Sequence, residues 1–226
     1  MWKEEVQIQG EYDFDYTLRR LSMDPLLTIN LEERFVLVPV KTGKEKVTVK
    51  VQGAGPTQNP VFHIQGTTEK QEETINQIKS FFQWDKPLEK IYEHFEHTNL
   101  KELFHKYPGT PIVKDFGYYE SLMKIIVHQQ LNMKFAYTLT SRFVQKFGEQ
   151  MDGVWFYPSP ETVASLRYED LREIQFSQRK AEYIIDTSRL IVEGKLDLEE
   201  LANQEDEEVI HELTKIRGIG HWTAEN

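Results

Sequence analysis

The 226-residue sequence contains no cysteine, and that absence removes several protein classes at once. Without thiols there is no disulfide framework, no thiolate nucleophile, no zinc knuckle and no iron–sulfur cluster. No apolar run approaches the roughly 18–20 residues that a membrane-spanning helix needs. The opening Met1-Trp2-Lys3-Glu4-Glu5-Val6 lacks the basic-then-apolar pattern of a secretory signal, so a cytoplasmic location is the economical expectation. Positive charge is also scarce: 27 Lys+Arg against 37 Asp+Glu give a formal net charge of −10. That balance speaks against bulk electrostatic binding of nucleic acid. It leaves room for a small local patch built on backbone amides. No phosphate-cradling Walker loop, dinucleotide fingerprint or serine-hydrolase elbow occurs. His94 and His97, an i,i+3 pair, lie on an ordinary surface helix, and no histidine pair has metal-ligand spacing.

What is present fits one large or two modest cores, with 39% apolar and 12% aromatic residues. The first part alternates in the manner of strands: Val6–Gln9, Leu26–Leu31, Arg34–Val40, Lys46–Val51 and Val61–Gln65. Turn chemistry separates them at Asn30–Glu33, Lys41–Lys44 and Gly53–Pro56. Val47, Val49 and Val51 share one face and Lys46, Thr48 and Lys50 the other, which predicts one wet face. Short helices are expected over 13–22 and 69–82. The composition changes at Trp84–Pro87, after which no convincing strand appears and Pro87 is placed to open a helix. Apolar stripes follow at helical spacing: Tyr118, Leu122, Ile125 and Ile126, then Phe135, Leu139, Phe143 and Phe147 with Gly148 as a C-terminal cap. Ser159-Pro160 and Ser177 are helix starts, the latter leading a stripe of Ala181, Ile184, Ile185, Ser188 and Ile191. The expectation is an α+β protein: residues 1–84 an antiparallel sheet with flanking helices, residues 85–226 all-α.

Two stretches could carry chemistry. Val209, Ile210, Leu213 and Ile216 end a helical run at Gly218-Ile219-Gly220, and a new helix begins at His221-Trp222-Thr223. Two glycines around one aliphatic residue can bring bare backbone against a ligand, and the following helix offers unpaired N–H groups to a phosphate. The stretch therefore reads either as a helix-hairpin-helix that grips a DNA backbone or as a plain helical turn. The second stretch is Gln129, Gln130 and Asn132, three amides between two helices. Amides suit an unpaired base edge; they equally suit helix capping. His128 beside them is expected to be hydrogen-bonded near the core.

Taken in order, Tyr107-Pro-Gly-Thr110, Ile125-Ile-Val-His-Gln-Gln-Leu-Asn132, Gln178-Arg-Lys-Ala181 and Leu213-Thr-Lys-Ile-Arg-Gly-Ile-Gly-His-Trp-Thr-Ala224 resemble the AlkA-type 3-methyladenine DNA glycosylases of the helix-hairpin-helix base-excision superfamily. The resemblance runs from about Tyr107 to the end and implies that residues 85–226 form a helix-hairpin-helix glycosylase domain lacking its C-terminal part. It implies DNA contacts by Gly218, Ile219, Gly220, His221 and Thr223, and a monovalent cation (sodium or potassium) on the carbonyls of Thr214, Ile216 and Ile219. It puts Gln130 at the wedge that fills the space of a flipped base, with Gln129 and Asn132 beside it.

Trp222 stands where strand-cutting members carry a lysine, so the resemblance implies a monofunctional enzyme. An aromatic there suits a cationic alkylated purine; core packing is the plain alternative. The family's catalytic aspartate would lie beyond Asn226, so no catalytic residue is assigned, and this chain is expected to be weak or inactive alone. Arg20 stands where an aromatic of the first helix can line the pocket in that family. The function implied is hydrolytic release of bases such as 3-methyladenine from double-stranded DNA by a monomer with no required cofactor, no membrane and no obligate protein partner. The rival readings are a non-catalytic DNA-binding or damage-sensing module and, more remotely, a small-molecule-binding protein.

Overall fold

Period-two alternation of valines dictates which face of the first sheet is dry, and the computed structural model pairs the strands accordingly. The described residues are 1–43, 45–86 and 88–225; the turn at Lys44 and the helix start at Pro87 lie outside them. Strand β1 (Trp2–Gln7) leads through α1 (Phe14–Leu21) to β2 (Thr28–Asn30), β3 (Phe35–Thr42), β4 (Glu45–Gly53) and β5 (Val61–Gly66). The five strands are antiparallel in the order β1-β5-β4-β3-β2. Register sets Val36 opposite Val51, Val38 opposite Val49 and Val40 opposite Val47, and all six are buried. Helix α2 (Gln71–Phe82) adds Ile75, Ile78, Phe81 and Phe82 to the same core. Phe62 lies at its aromatic centre, with ring centroids 5.7 Å from Tyr12, 5.1 Å from Phe14 and 4.1 Å from Trp84.

The opposite face is not simply wet. The Thr28 and Thr48 hydroxyls donate to the carbonyls of Gly153 (2.7 Å) and Met151 (3.1 Å). The chain divides into two compact units: Met1–Phe116 with Met151–Val154, and Gly117–Gln150 with the described residues from Trp155 onward. This break does not coincide with the composition change at 84–85. Helices α3 (Leu88–Phe95) and α4 (Lys101–Lys106) therefore group with the sheet. The physical reason lies in the Tyr107–Thr110 segment. The Gly109 carbonyl accepts the Asp13 N–H at 2.7 Å, and at φ +73° a Cβ on Gly109 would sit 2.8 Å from the Tyr12 nitrogen.

The second unit holds α5 (Tyr118–His128), α6 (Met133–Phe147), α7 (Pro160–Ala164), α8 (Tyr168–Arg172), α9 (Gln178–Val192), α10 (Leu198–Leu201), α11 (Asp206–Thr214) and α12 (His221–Ala224). Strands do occur after residue 84: β6 (Glu149–Met151) pairs with β7 (Val154–Phe156). Asp152 and Gly153, at φ 49° and 80°, supply the left-handed pair that a two-residue hairpin turn requires. The inward register of α5 is Tyr119, Leu122, Met123, Ile126 and Val127, a cleaner i, i+3, i+4 series than the expected one, and Tyr118 points out. In α6 Ala136, Leu139, Thr140 and Phe143 are buried while Phe135 is exposed. Gly148 is the C-cap of α6, as expected, with extended backbone (φ −88°, ψ −163°). Ser159 and Ser177 cap α7 and α9 as expected, each accepting a backbone N–H three residues on. In α9, Ala181, Ile184, Ile185 and Ser188 are buried, and the Ser188 hydroxyl meets the Tyr119 hydroxyl at 2.8 Å.

Phe62→Ala is expected to destabilise the first unit by about 3–5 kcal/mol, because a ring enclosed by other rings leaves a cavity that cannot collapse. Urea denaturation followed by tryptophan fluorescence, with Trp84 stacked on that ring, reads the loss directly.

Candidate nucleic-acid interface

Helix α11 opens with Asp206, Glu207 and Glu208, whose charge complements the helix N-terminus, and runs into the turn 215–220. There the Ile219 N–H closes back on the Ile216 carbonyl at 3.0 Å, and Ile219 is buried as the turn's anchor. Gly218 takes φ +95°, and a Cβ added to it would fall 2.4 Å from the Tyr183 ring. Left-handed backbone and contact with an aromatic face thus both require glycine here. Arg217 adds a second tie to α9: its guanidinium lies over Tyr183, 5.6 Å from the ring centroid, and bonds the Glu182 carboxylate at 2.7 Å. Arg217 holds the Glu182 carboxyl below its ordinary range, secondary to the hydrogen bond from Gln178. Gly220 caps α12 with extended backbone (φ −96°, ψ 174°) and is exposed. Next to it His221 and Trp222 are exposed, Trp222 to 65%.

The three amides separate into three roles. The Gln129 side-chain NH2 donates to the Gly218 carbonyl and to the Thr223 hydroxyl, both at 2.9 Å. Both of its N–H groups are therefore committed to the hairpin, and Gln129 braces the turn instead of offering donors to a base. Thr223, expected to face DNA, is buried with its hydroxyl turned to Gln129. Asn132 is the N-cap of α6, its Oδ1 accepting the Phe135 N–H at 3.0 Å. Gln130 is exposed, as is Asn132, and Gln130 sits in the left-handed region at φ 57°, where non-glycine residues are uncommon. His128 bonds Thr140 (3.1 Å) and meets the Tyr137 ring edge-on, as expected of a near-core imidazole.

Lys180, on the first turn of α9, was not separable in sequence from its helical surroundings. Its Nζ donates to the carbonyls of Ile126, Val127 and Gln129, each at 2.8 Å. Burial pulls this ammonium down to about 8, and the carbonyl-rich end of α5 acts in the opposite sense, so it stays protonated at pH 7. The available signal was a lysine at the third position of a capped helix, with nothing acidic beside it in the sequence.

As for a cation, the carbonyls of Thr214, Ile216 and Ile219 are neutral donors. Thr214 closes the last turn of α11, where helical carbonyls lack intrahelical partners, and Ile216 keeps a lone pair beyond its one N–H. Such a set fits a monovalent ion. Among the described residues no cluster of His, Asp and Glu could hold a harder one. Arg20, exposed on α1, approaches the Met23 sulfur at 3.6 Å.

The turn is therefore an α11–Gly218-Ile219-Gly220–α12 hairpin docked on α9 and braced from α5. Residues 123–225 match the family model described as HhH-GPD superfamily base excision DNA repair protein. YfjP of Bacillus subtilis, whose name assigns it provisionally to the DNA-3-methyladenine glycosylases, is 52% identical over 227 residues, spanning 100% of this chain and 79% of its own. This chain belongs to the HhH-GPD base-excision DNA repair superfamily. A second relative, the DNA-3-methyladenine glycosylase of Bacillus subtilis, is 34% identical over 160 residues, covering 69% of this chain and 53% of that protein. The solved 3-methyladenine DNA-glycosylase from Archaeoglobus fulgidus shares the fold, with a TM-score of 0.81 at 22% identity over 99% of this chain and 77% of that one.

Gly218→Ala is expected to cost about 1–3 kcal/mol, from backbone strain and overlap with Tyr183 together. Gly220→Ala, whose Cβ would meet nothing within 4 Å, is expected to cost far less. Thermal melts of the two variants check the contrast.

Proposed function

We propose that this chain carries the DNA-holding and base-recognising elements of a monofunctional glycosylase that flips alkylated purines such as 3-methyladenine out of duplex DNA for hydrolytic release. The observation that carries the reading is the pairing of an exposed, unencumbered Gly220 with an exposed indole two residues on. Nothing within the described residues requires glycine at 220, whereas a phosphate brought against the backbone N–H groups of Gly218, Gly220 and His221 would. A monovalent cation on the carbonyls of Thr214, Ile216 and Ile219 would add positive charge on the phosphate side, offsetting the acidic balance of the chain. Gln130 would enter the space vacated by the flipped base.

Trp222 accounts for both substrate class and outcome. A 3-alkylated purine carries positive charge, and an indole face attracts it by about 0.5–2 kcal/mol. Departure of such a base neutralises it, so little acid catalysis is needed. An indole has no amine to attack the sugar carbon, and the Lys180 amine is engaged by three carbonyls, so no Schiff base forms and the strand stays intact. No residue of 1–226 is assigned the support of the cationic sugar or the orientation of the water. DNA is the partner, and no obligate protein partner is invoked.

The test measures base release from methylated duplex DNA by the protein that carries this sequence. It is expected to release 3-methyladenine, to leave an uncut abasic strand, and to give no borohydride-trapped adduct. A trapped adduct would overturn the monofunctional assignment; no release would reduce the function to DNA binding. Gly220→Ala is expected to weaken binding to abasic DNA at least about tenfold, roughly 1.4 kcal/mol, with an unchanged melting temperature.

A further inference from the structure

The turn that presents Gln130 has a problem of its own: a glutamine at φ 57° is held in a sparsely populated conformation, which persists only when its surroundings over-determine it. The carbonyls leading into the turn show how this is met. Ile125 accepts the Gln129 N–H (3.1 Å) and His128 accepts the Leu131 N–H (3.2 Å). The carbonyls of Ile126, Val127 and Gln129 are all taken by Lys180. One ammonium thus satisfies three acceptors, and the last of them belongs to the residue directly before Gln130. On the other side of the turn Asn132 fixes the start of α6, and the Gln129 side chain is itself tied to the hairpin. Residue 129 is pinned by its carbonyl to α9 and by its amide to the Gly218 turn.

We infer that Lys180 is the positioning residue of the wedge: it sets the backbone from which Gln130 enters DNA, and through Gln129 it couples that wedge to the phosphate-gripping hairpin. The inference rests on the glycosylase reading above and concerns discrimination of a base-free site, not affinity for DNA in general. Lysine is suited to the task because three N–H donors on one tetrahedral nitrogen can converge on three carbonyls. Methionine would fill the same channel and satisfy none of them. Arginine's planar fork would spread its donors in one plane.

The experiment measures, by fluorescence anisotropy at fixed salt, binding to a duplex with a tetrahydrofuran abasic site and to the same duplex undamaged. Wild type, Lys180→Met, Gln130→Ala and the double variant are compared after circular dichroism has checked their folding. Lys180→Met and Gln130→Ala are each expected to lower the preference for the abasic duplex about tenfold while affinity for undamaged DNA stays within about twofold. The double variant is expected to fall no further, because both changes remove one device. If Lys180→Met does not fold, Lys180→Arg carries the test, with a loss of at least about threefold in preference expected. An unchanged preference, or an equal fall in both affinities, overturns the inference, as does an additive double variant. Were wild type itself to show no preference for the abasic duplex, the glycosylase reading would fail first and this inference with it.

Discussion

The ammonium of Lys180 is the interaction on which the DNA-facing side of the second unit depends. Helix α5 stops at His128, and a helix end leaves its last carbonyls without partners. Capping by one side chain from α9 allows the chain to turn within four residues and start α6 at Met133. The same residue at the turn, Gln129, reaches the hairpin. Two loops that would otherwise move independently are thereby referred to one rigid helix, in keeping with the need to hold a binding constellation on packed elements.

The strengths of the ties to α9 differ. Gly218 against Tyr183 is a steric constraint with no soft side chain to yield, and Ile219 is buried behind it. Arg217–Glu182 is largely exposed on the arginine side, and a pair of this kind contributes about 0–1 kcal/mol. The hairpin is thus held by packing and by the Gln129 amide, with the ion pair a minor addition. This arrangement reconciles a net charge of −10 with a DNA-binding role. On the proposed reading backbone N–H groups and a neutral-carbonyl cation site would act locally; Asp206, Glu207 and Glu208 sit at the far end of α11, where its own dipole stabilises them, and Glu212 in its last turn is paired with Lys215.

Much of this was legible before the structure, and the failures have physical causes. Alternating valines fixed the first sheet because period-two patterns have one dry face. The Gly218-Ile219-Gly220 turn was readable because glycine spacing encodes backbone conformation. The hairpin β6–β7 was missed although Asp152-Gly153 announced it, since strands of three residues carry too little alternation to register. Gln129 and Asn132 were open between base contact and helix capping because an amide's partners are invisible in sequence. Asn132 caps its own helix, and Gln129 bonds a carbonyl 89 residues away. Lys180 stood in a motif that carried the family resemblance but had no readable role, because its acceptors are backbone carbonyls more than 50 residues distant.

The account's central claim is that the Gly218–His221 backbone and the Gln130 turn contact DNA as one braced surface. Amide hydrogen exchange of the 226-residue chain, with and without a duplex containing an abasic-site analogue, tests it most directly. The account predicts slowed exchange in peptides covering 216–223 and 129–134 together, appearing at the same DNA concentration, with α7 and α8 unaffected. Protection of one stretch without the other, or protection confined to the five-stranded sheet, would contradict it.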